Sequence, residues 1–185
     1  MGKNMSDNEL IQQLKDEKQR DRAFRILVDQ YSQKLYWQIR KMLLNHDDAN
    51  DVLQNTFIKV LNGVADFRGD SKLSTWLYRI AINETFTFLN QQRQRHQMDM
   101  VDMENALAQH LTSDSYFDGD ELQKKLQEAV LTLPEKQRLV FNMKYYDELK
   151  YEEMSDIFGT SIGALKASYH LASKKIEQYI LNTEL

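Results

Sequence analysis

Apolar residues recur along this chain at three- and four-residue steps, the period of helices that bury one side. Ser6-Asp-Asn-Glu9 has the spacing of a capping box and opens a first helix, with Leu10, Ile11 and Leu14 on its apolar side. A second pattern runs through Phe24, Leu27, Val28, Tyr31, Leu35, Ile39, Met42 and Leu43 and stops around Asn45-His46. Asp47 is then placed to cap a helix through Asn62, with Gly63 to end it. Val52, Leu53, Phe57, Val60 and Leu61 turn inward there, while Asp48, Asp51, Asn55, Lys59 and Asn62 stay outside. The polar turn Arg68-Gly-Asp-Ser71 leads into a long helix from about Ser74. Leu77, Ala81, Phe88 and Leu89 fall on its burying side. Lys72, Thr75, Arg79, Asn83, Phe86, Asn90 and Arg93 form a second stripe.

The pattern fails between Gln97 and Asp118, a stretch rich in Met and acids that reads as a flexible linker, with a short helix near Met103 to Leu111. It resumes near Asp118, where Asp-Gly-Asp-Glu121 can cap. Leu122, Leu126, Ala129, Val130 and Leu133 line one helix. Pro134 suits the first position of the next, which carries Leu139, Val140 and Met143. A short helix from Tyr151 to Phe158 buries Tyr151, Met154 and Ile157. Gly159 turns the chain, Thr160 or Ser161 caps, and a longer helix runs to about Ile180 on Ile162, Leu165, Tyr169, Ala172, Ile176 and Tyr179. The expectation is an all-α protein of two small helical domains, residues 1–96 and 119–185, joined by an acidic linker over 97–118.

Composition sharpens this in three places. One proline and six glycines in 185 residues leave little to interrupt helices. No cysteine is present, which removes disulfides and thiolate chemistry and fits a cytoplasmic setting. No apolar run approaches a membrane span, and no leader-like segment opens the chain. The net charge of −4 argues against nonspecific attraction to DNA, yet charge is segregated. Seven acids and no Lys or Arg lie between Gln97 and Glu121, and Lys166, Lys174 and Lys175 stand without an acid between Thr160 and Ile176.

The stripe on the long fourth helix is short of acids and offers cations for phosphate, amides for base edges and a ring for stacking. Spacing alone also allows a plain solvated face. Tyr151 to Ile180 has the form of a helix-turn-helix, with Gly163, Lys166, Ala167, His170, Ser173 and Lys174 on the outer side of its second helix. Small residues there admit close approach to a major groove. Catalysis finds no footing: His46, His96, His110 and His170 are scattered, no phosphate-cradling glycine loop occurs, and Glu152-Glu153 suit a helix start. No cofactor and no small-molecule substrate are expected.

Taken in order, these features resemble the extracytoplasmic-function (ECF) branch of the bacterial sigma-seventy family, the initiation subunits of RNA polymerase. DDANDVLQNTFIKVL (Asp47 to Leu61) is similar to the helix with which that family grips core polymerase. FRGDSKLSTWLYRIAIN (Phe67 to Asn83) is similar to its segment for the minus-ten element. LPEKQRLVFNMKYY, with EEMSDIFGTSIGALKASYHLASKKI, is similar to its minus-thirty-five domain. The resemblance implies polymerase contacts at Asp48, Asp51, Gln54, Asn55 and Lys59. It implies minus-ten strand capture by Phe67, Arg68, Ser71, Lys72, Thr75, Trp76, Arg79, Asn83 and Phe86, although Trp76 also reads as core from its apolar neighbours. It implies minus-thirty-five contacts at Ser161, Gly163, Ala164, Lys166, Ala167, His170 and Lys174. Core RNA polymerase and promoter DNA are the partners implied, and an anti-sigma factor stays open as a third. Two departures touch specificity: Thr87 and Asn90 stand where the family usually places Asp and Arg, and Ala164-Leu165-Lys166-Ala167-Ser168 replaces an arginine-ending run. Two other readings stand beside this one: a helix-turn-helix regulator that binds duplex DNA alone, and a helical adaptor that binds none.

Overall fold

A computed structural model describes residues 5–96 and 121–183. The expected linker and its short helix, the Asp118 cap and His110 lie outside these residues. The described chain is helical throughout, with no strand among the described residues. The first unit contains α1 (Asp7–Lys15), α2 (Arg20–Leu43), α3 (His46–Gly63), a 3₁₀ turn (Val64–Asp66) and α4 (Leu73–His96). The second contains α5 (Glu121–Leu131), α6 (Glu135–Tyr145), α7 (Tyr151–Phe158) and α8 (Ile162–Thr183).

Local chemistry explains most of the ends. The capping box closes as expected: the Glu9 amide donates to Ser6 Oγ at 3.4 Å and the Ser6 amide to Glu9 Oε2 at 3.2 Å. Helix α2 ends at Leu43, and Leu44 takes a left-handed φ of 56° with its side chain buried. Burial of that leucine holds a conformation L-residues otherwise avoid. The cap of α3 is Asn45, whose Oδ1 accepts from the Asp48 amide at 3.0 Å; Asp47 lies inside the helix. Gly63 is the last helical residue at φ −96° and not a left-handed stop. A Cβ there would sit 3.4 Å from the Trp76 ring, within ordinary contact. Pro134 is the cap of α6 instead of its first residue.

Helices α2, α3 and α4 pack around Leu27, Leu35, Ile39, Val52, Val60, Leu77 and Ala81, all buried. This cluster does not stop at the first unit. Leu131, Leu139, Val140, Met143, Met154, Ile157 and Leu165 belong to it, so α6 and α7 rest on α2 and α4. A second cluster of Ala129, Val130, Leu133, Phe141, Ala172 and Ile176 lies within the C-terminal unit. There Arg138, buried, donates through Nη2 to the Leu131 carbonyl at 3.0 Å and ties α5 to α6. No helix among the described residues is long and apolar enough to cross a membrane.

Candidate nucleic-acid interface

The turn between α3 and α4 is built to be held open. Gly69 takes φ +80°, where a side chain would be strained. Lys15 of α1 donates to the Phe67 carbonyl at 2.7 Å and anchors the turn from behind. Phe67 itself is buried and packs against Trp76 with ring centroids 4.8 Å apart. In front lies a concavity of about 480 Å³ that brings together Phe67, Arg68, Ser71, Trp76, Arg79 and Asn83. Six of the nine residues assigned to strand capture therefore share one hollow. Lys72 is exposed outside its lining, and Phe86 is half-buried a turn beyond. Thr75 does not stand on an outward stripe: it is 3% exposed and belongs to the interior. Trp76 takes both roles, half-buried against the core with its ring bordering the hollow.

Lys59 is exposed as expected; its ammonium pairs with Glu84 of α4 and also borders the hollow. On α3 Asp51, Gln54 and Asn55 are exposed and Asp48 is half-buried. Ile58 continues the stripe at 55% exposure, one turn beyond Gln54 and Asn55. An isoleucine on the polar side of an amphipathic helix was the signal for it, and the sequence reading passed over it.

Arg79 has the most consequential surroundings. Its Nε donates to the Asp156 carbonyl at 2.9 Å and to the Ile157 carbonyl at 3.3 Å, and its Nη2 donates to Asp156 as well. Those carbonyls close the last turn of α7, in the other unit.

The helix-turn-helix forms as expected. Gly159 takes φ +62°, Ser155 Oγ donates to the Thr160 carbonyl at 2.7 Å, and Ser161 Oγ accepts from the Ala164 amide at 3.3 Å. Gly163, Ala164, Lys166, Ala167, His170 and Lys174 are exposed on α8, and Ser161 at its cap is exposed too. A Cβ at Gly163 would meet nothing within 4 Å, so the fold's own packing does not require glycine there. Tyr151 lies under two cations, 5.1 Å from Lys144 Nζ and 5.6 Å from Lys166 Nζ. Among the described residues no group of His, Cys, Asp and Glu is arranged to hold a metal ion.

Comparison with known proteins gives these surfaces a class. The family described as Sigma-70 region 2 matches residues 27–95, and Sigma-70 region 4 matches residues 123–176. The ECF RNA polymerase sigma factor SigW of Bacillus subtilis is 31% identical over 169 residues, covering 85% of this chain and 89% of its own. The ECF RNA polymerase sigma-E factor of Escherichia coli K12 is 28% identical over 188 residues, covering 97% of each chain. The fold matches solved CnrH, in complex with the cytosolic domain of CnrY, at a TM-score of 0.69 and 20% identity over 97% of this chain and 99% of that one. It also matches RpoE of Bartonella quintana, in complex with the anti-sigma factor NepR, at 0.64 and 19% identity over 85% and 96%. The chain belongs to the sigma-70 family. Within it, the protein is an ECF-type RNA polymerase sigma factor.

Proposed function

We propose that this sigma factor initiates transcription by binding core polymerase along α3 and trapping the melted minus-ten strand on α4, while α8 reads the minus-thirty-five duplex. The observation that carries this is the open hollow between the α3–α4 turn and α4, which gathers Arg68 and Ser71 of the turn with Trp76, Arg79 and Asn83 of the helix. Its lining pairs an aromatic edge with cations and an amide, the groups that hold an extruded base and its backbone, beside the carboxylates of Asp66, Asp70 and Glu84. Extruding a base costs a few kcal/mol, and stacking with edge hydrogen bonds returns a similar amount, so capture needs no bond-making chemistry. Asp51, Gln54, Asn55 and Ile58 offer polymerase an apolar contact ringed by carboxylate and amides, which suits a basic partner surface. The exposed N-terminal half of α8 suits a major groove. On this reading residues 1–96 and 119–185 divide the two promoter elements between them, and the protein acts by binding, not catalysis. An anti-sigma factor, the kind of partner NepR is for RpoE, belongs to the same reading.

Run-off transcription with core polymerase on a library of promoter sequences tests it. Specific initiation that depends on this protein is the expected result and yields the promoter sequence as well. A tight, sequence-specific duplex complex formed without polymerase, with no initiation, would favour a self-sufficient helix-turn-helix regulator.

A further inference from the structure

The turn that forms one wall of the hollow has few constraints of its own. The Phe67 amide donates to the Val64 carbonyl at 3.3 Å, and the next backbone bond beyond a helix interior is from the Trp76 amide to the Lys72 carbonyl at 3.2 Å. Between them Gly69 sits at φ +80°, free of any neighbour within 4 Å. Among the described residues, the one hydrogen bond that ties residues 67–71 to another helix comes from Lys15 of α1, 52 positions away from the Phe67 carbonyl it meets at 2.7 Å.

Helix α1 is itself firmly seated. Leu10 and Leu14 are fully buried, the Tyr31 hydroxyl donates to Asp7 Oδ1 at 3.1 Å, and Arg20 Nε donates to the Leu14 carbonyl at 3.1 Å. Lys15 stands in its last turn, so the ammonium reaches Phe67 from a fixed base. Burial of the Phe67 ring against Trp76 places that residue but leaves the direction of the next peptide open. The Phe67 carbonyl lies in the plane of the 67–68 peptide, so a charged donor on it sets that plane and the direction in which Arg68 departs.

We infer that α1 is a working part of the strand trap, with Lys15 as a positioning residue that fixes the 67–68 peptide and so presents Arg68 and Ser71 to the extruded base. A wall ordered beforehand spares the captured base the cost of ordering it. The whole of α1 precedes residues 27–95, the part matched by Sigma-70 region 2, so the family match alone gives it no task. The inference rests on the reading of the hollow as the place of strand capture.

The test separates the brace from the trap. The chain has two tryptophans, and Trp37 borders no part of the hollow, so Trp37→Phe leaves Trp76 as a reporter beside Phe67. In that background Lys15→Met removes the ammonium and keeps an unbranched, helix-compatible side chain, while Lys15→Arg restores a donor. Acrylamide quenching of Trp76 in the free protein should rise about twofold in Lys15→Met, as for a turn released roughly half the time, and return in Lys15→Arg. Circular dichroism should not change. With core polymerase, on a promoter taken from the run-off library, open-complex formation by Lys15→Met on duplex should fall about tenfold. Lys15→Arg and a pre-melted bubble should each restore most of it, and co-purification with core polymerase should stay as in wild type. Quenching equal in Lys15→Met and wild type overturns the brace, whatever transcription does, because a loss of initiation would then come from Lys15 touching DNA itself. Equal loss on duplex and bubble also overturns it, since the defect would then lie outside strand capture. Quenching that rises while duplex initiation is untouched leaves the brace standing and removes strand capture from the hollow, and the positioning role falls with that reading.

Discussion

Helices α4 and α8 carry similar residues outward and meet different surroundings. Arg79 and Arg93 on α4, and Lys72 just before it, each face an oxygen of the other unit. On α8, His170 and Lys174 are exposed and make no side-chain hydrogen bond or ion pair among the described residues, while Lys166 leans only toward the Tyr151 ring. A cationic stripe in the sequence thus does not say whether its charges wait for a ligand or already have a substitute for one. On the proposed function the contrast matches the two tasks. A duplex reader gains from standing ready at first encounter, whereas a strand trap is useful only after DNA has opened.

The largest effect should come from the α4 side. Arg79→Ala with Asn83→Ala removes a cation and an amide from the hollow. At about 1–3 kcal/mol for each lost contact, open-complex formation on duplex template should fall roughly a hundredfold or more. A pre-melted bubble template should restore much of the activity, because strand capture no longer has to offset opening. Run-off assays on matched duplex and bubble templates measure both.

Lys166→Ala with His170→Ala should weaken closed-complex binding by about one to two decades, since the two lie one turn apart on the exposed side of α8. A bubble should rescue this pair less than the α4 pair. Rescue in the opposite order would break the comparison, because it would place strand capture on α8.

A third face calibrates both. Asp51→Arg with Asn55→Arg leaves the core untouched, as both side chains are exposed, and should reduce co-purification with core polymerase about tenfold through charge repulsion. Duplex and bubble templates should suffer equally, since polymerase recruitment precedes both. Circular dichroism should show unchanged helix content.

The fold was largely legible because periodicity reports burial directly. The Ser6–Glu9 box, the Gly159 turn, the core side of the last helix through Leu165, Ala172 and Ile176, and the exposed side through Lys166 and His170 all follow from spacing. Misplaced caps such as Asp47 for Asn45 arise because adjacent residues have equally able side chains, and only the backbone decides between them. Thr75 was misread for a different reason. A threonine on a mixed stripe tolerates burial as well as exposure, so its type does not decide between them. The partner of Arg79 could not have been read at all. Main-chain carbonyls exist at every residue, so a site made from them leaves no mark in the sequence.

The smallest effect sharpens the comparison from within. Tyr78 stands on α4 at the seam, and its phenol is pushed up to about 12, first by burial and then by the charges of Asp147 and Glu153. Both carboxylates belong to the helix-turn-helix unit, so part of the shift exists only while the units touch. Tyr146, across the same seam, is also raised to about 12 by burial and by Tyr145. Raised phenol values favour the neutral form in the folded protein. The stability they contribute is complete below the ordinary tyrosine value of 10.0 and is lost as pH rises toward 12. For Tyr78 a shift of this size corresponds to roughly 3 kcal/mol. Ultraviolet titration of the wild-type protein should show late-ionising phenols, and Tyr78→Phe should remove one of them. In Asp147→Asn with Glu153→Gln the Tyr78 phenol should ionise earlier, moving from about 12 toward 10.0 without reaching it, because burial against α4's own neighbours remains. A Tyr78 titration identical in the two proteins would mean that the seam is open in solution, and that α4 stands as ready for its strand as α8 does for duplex.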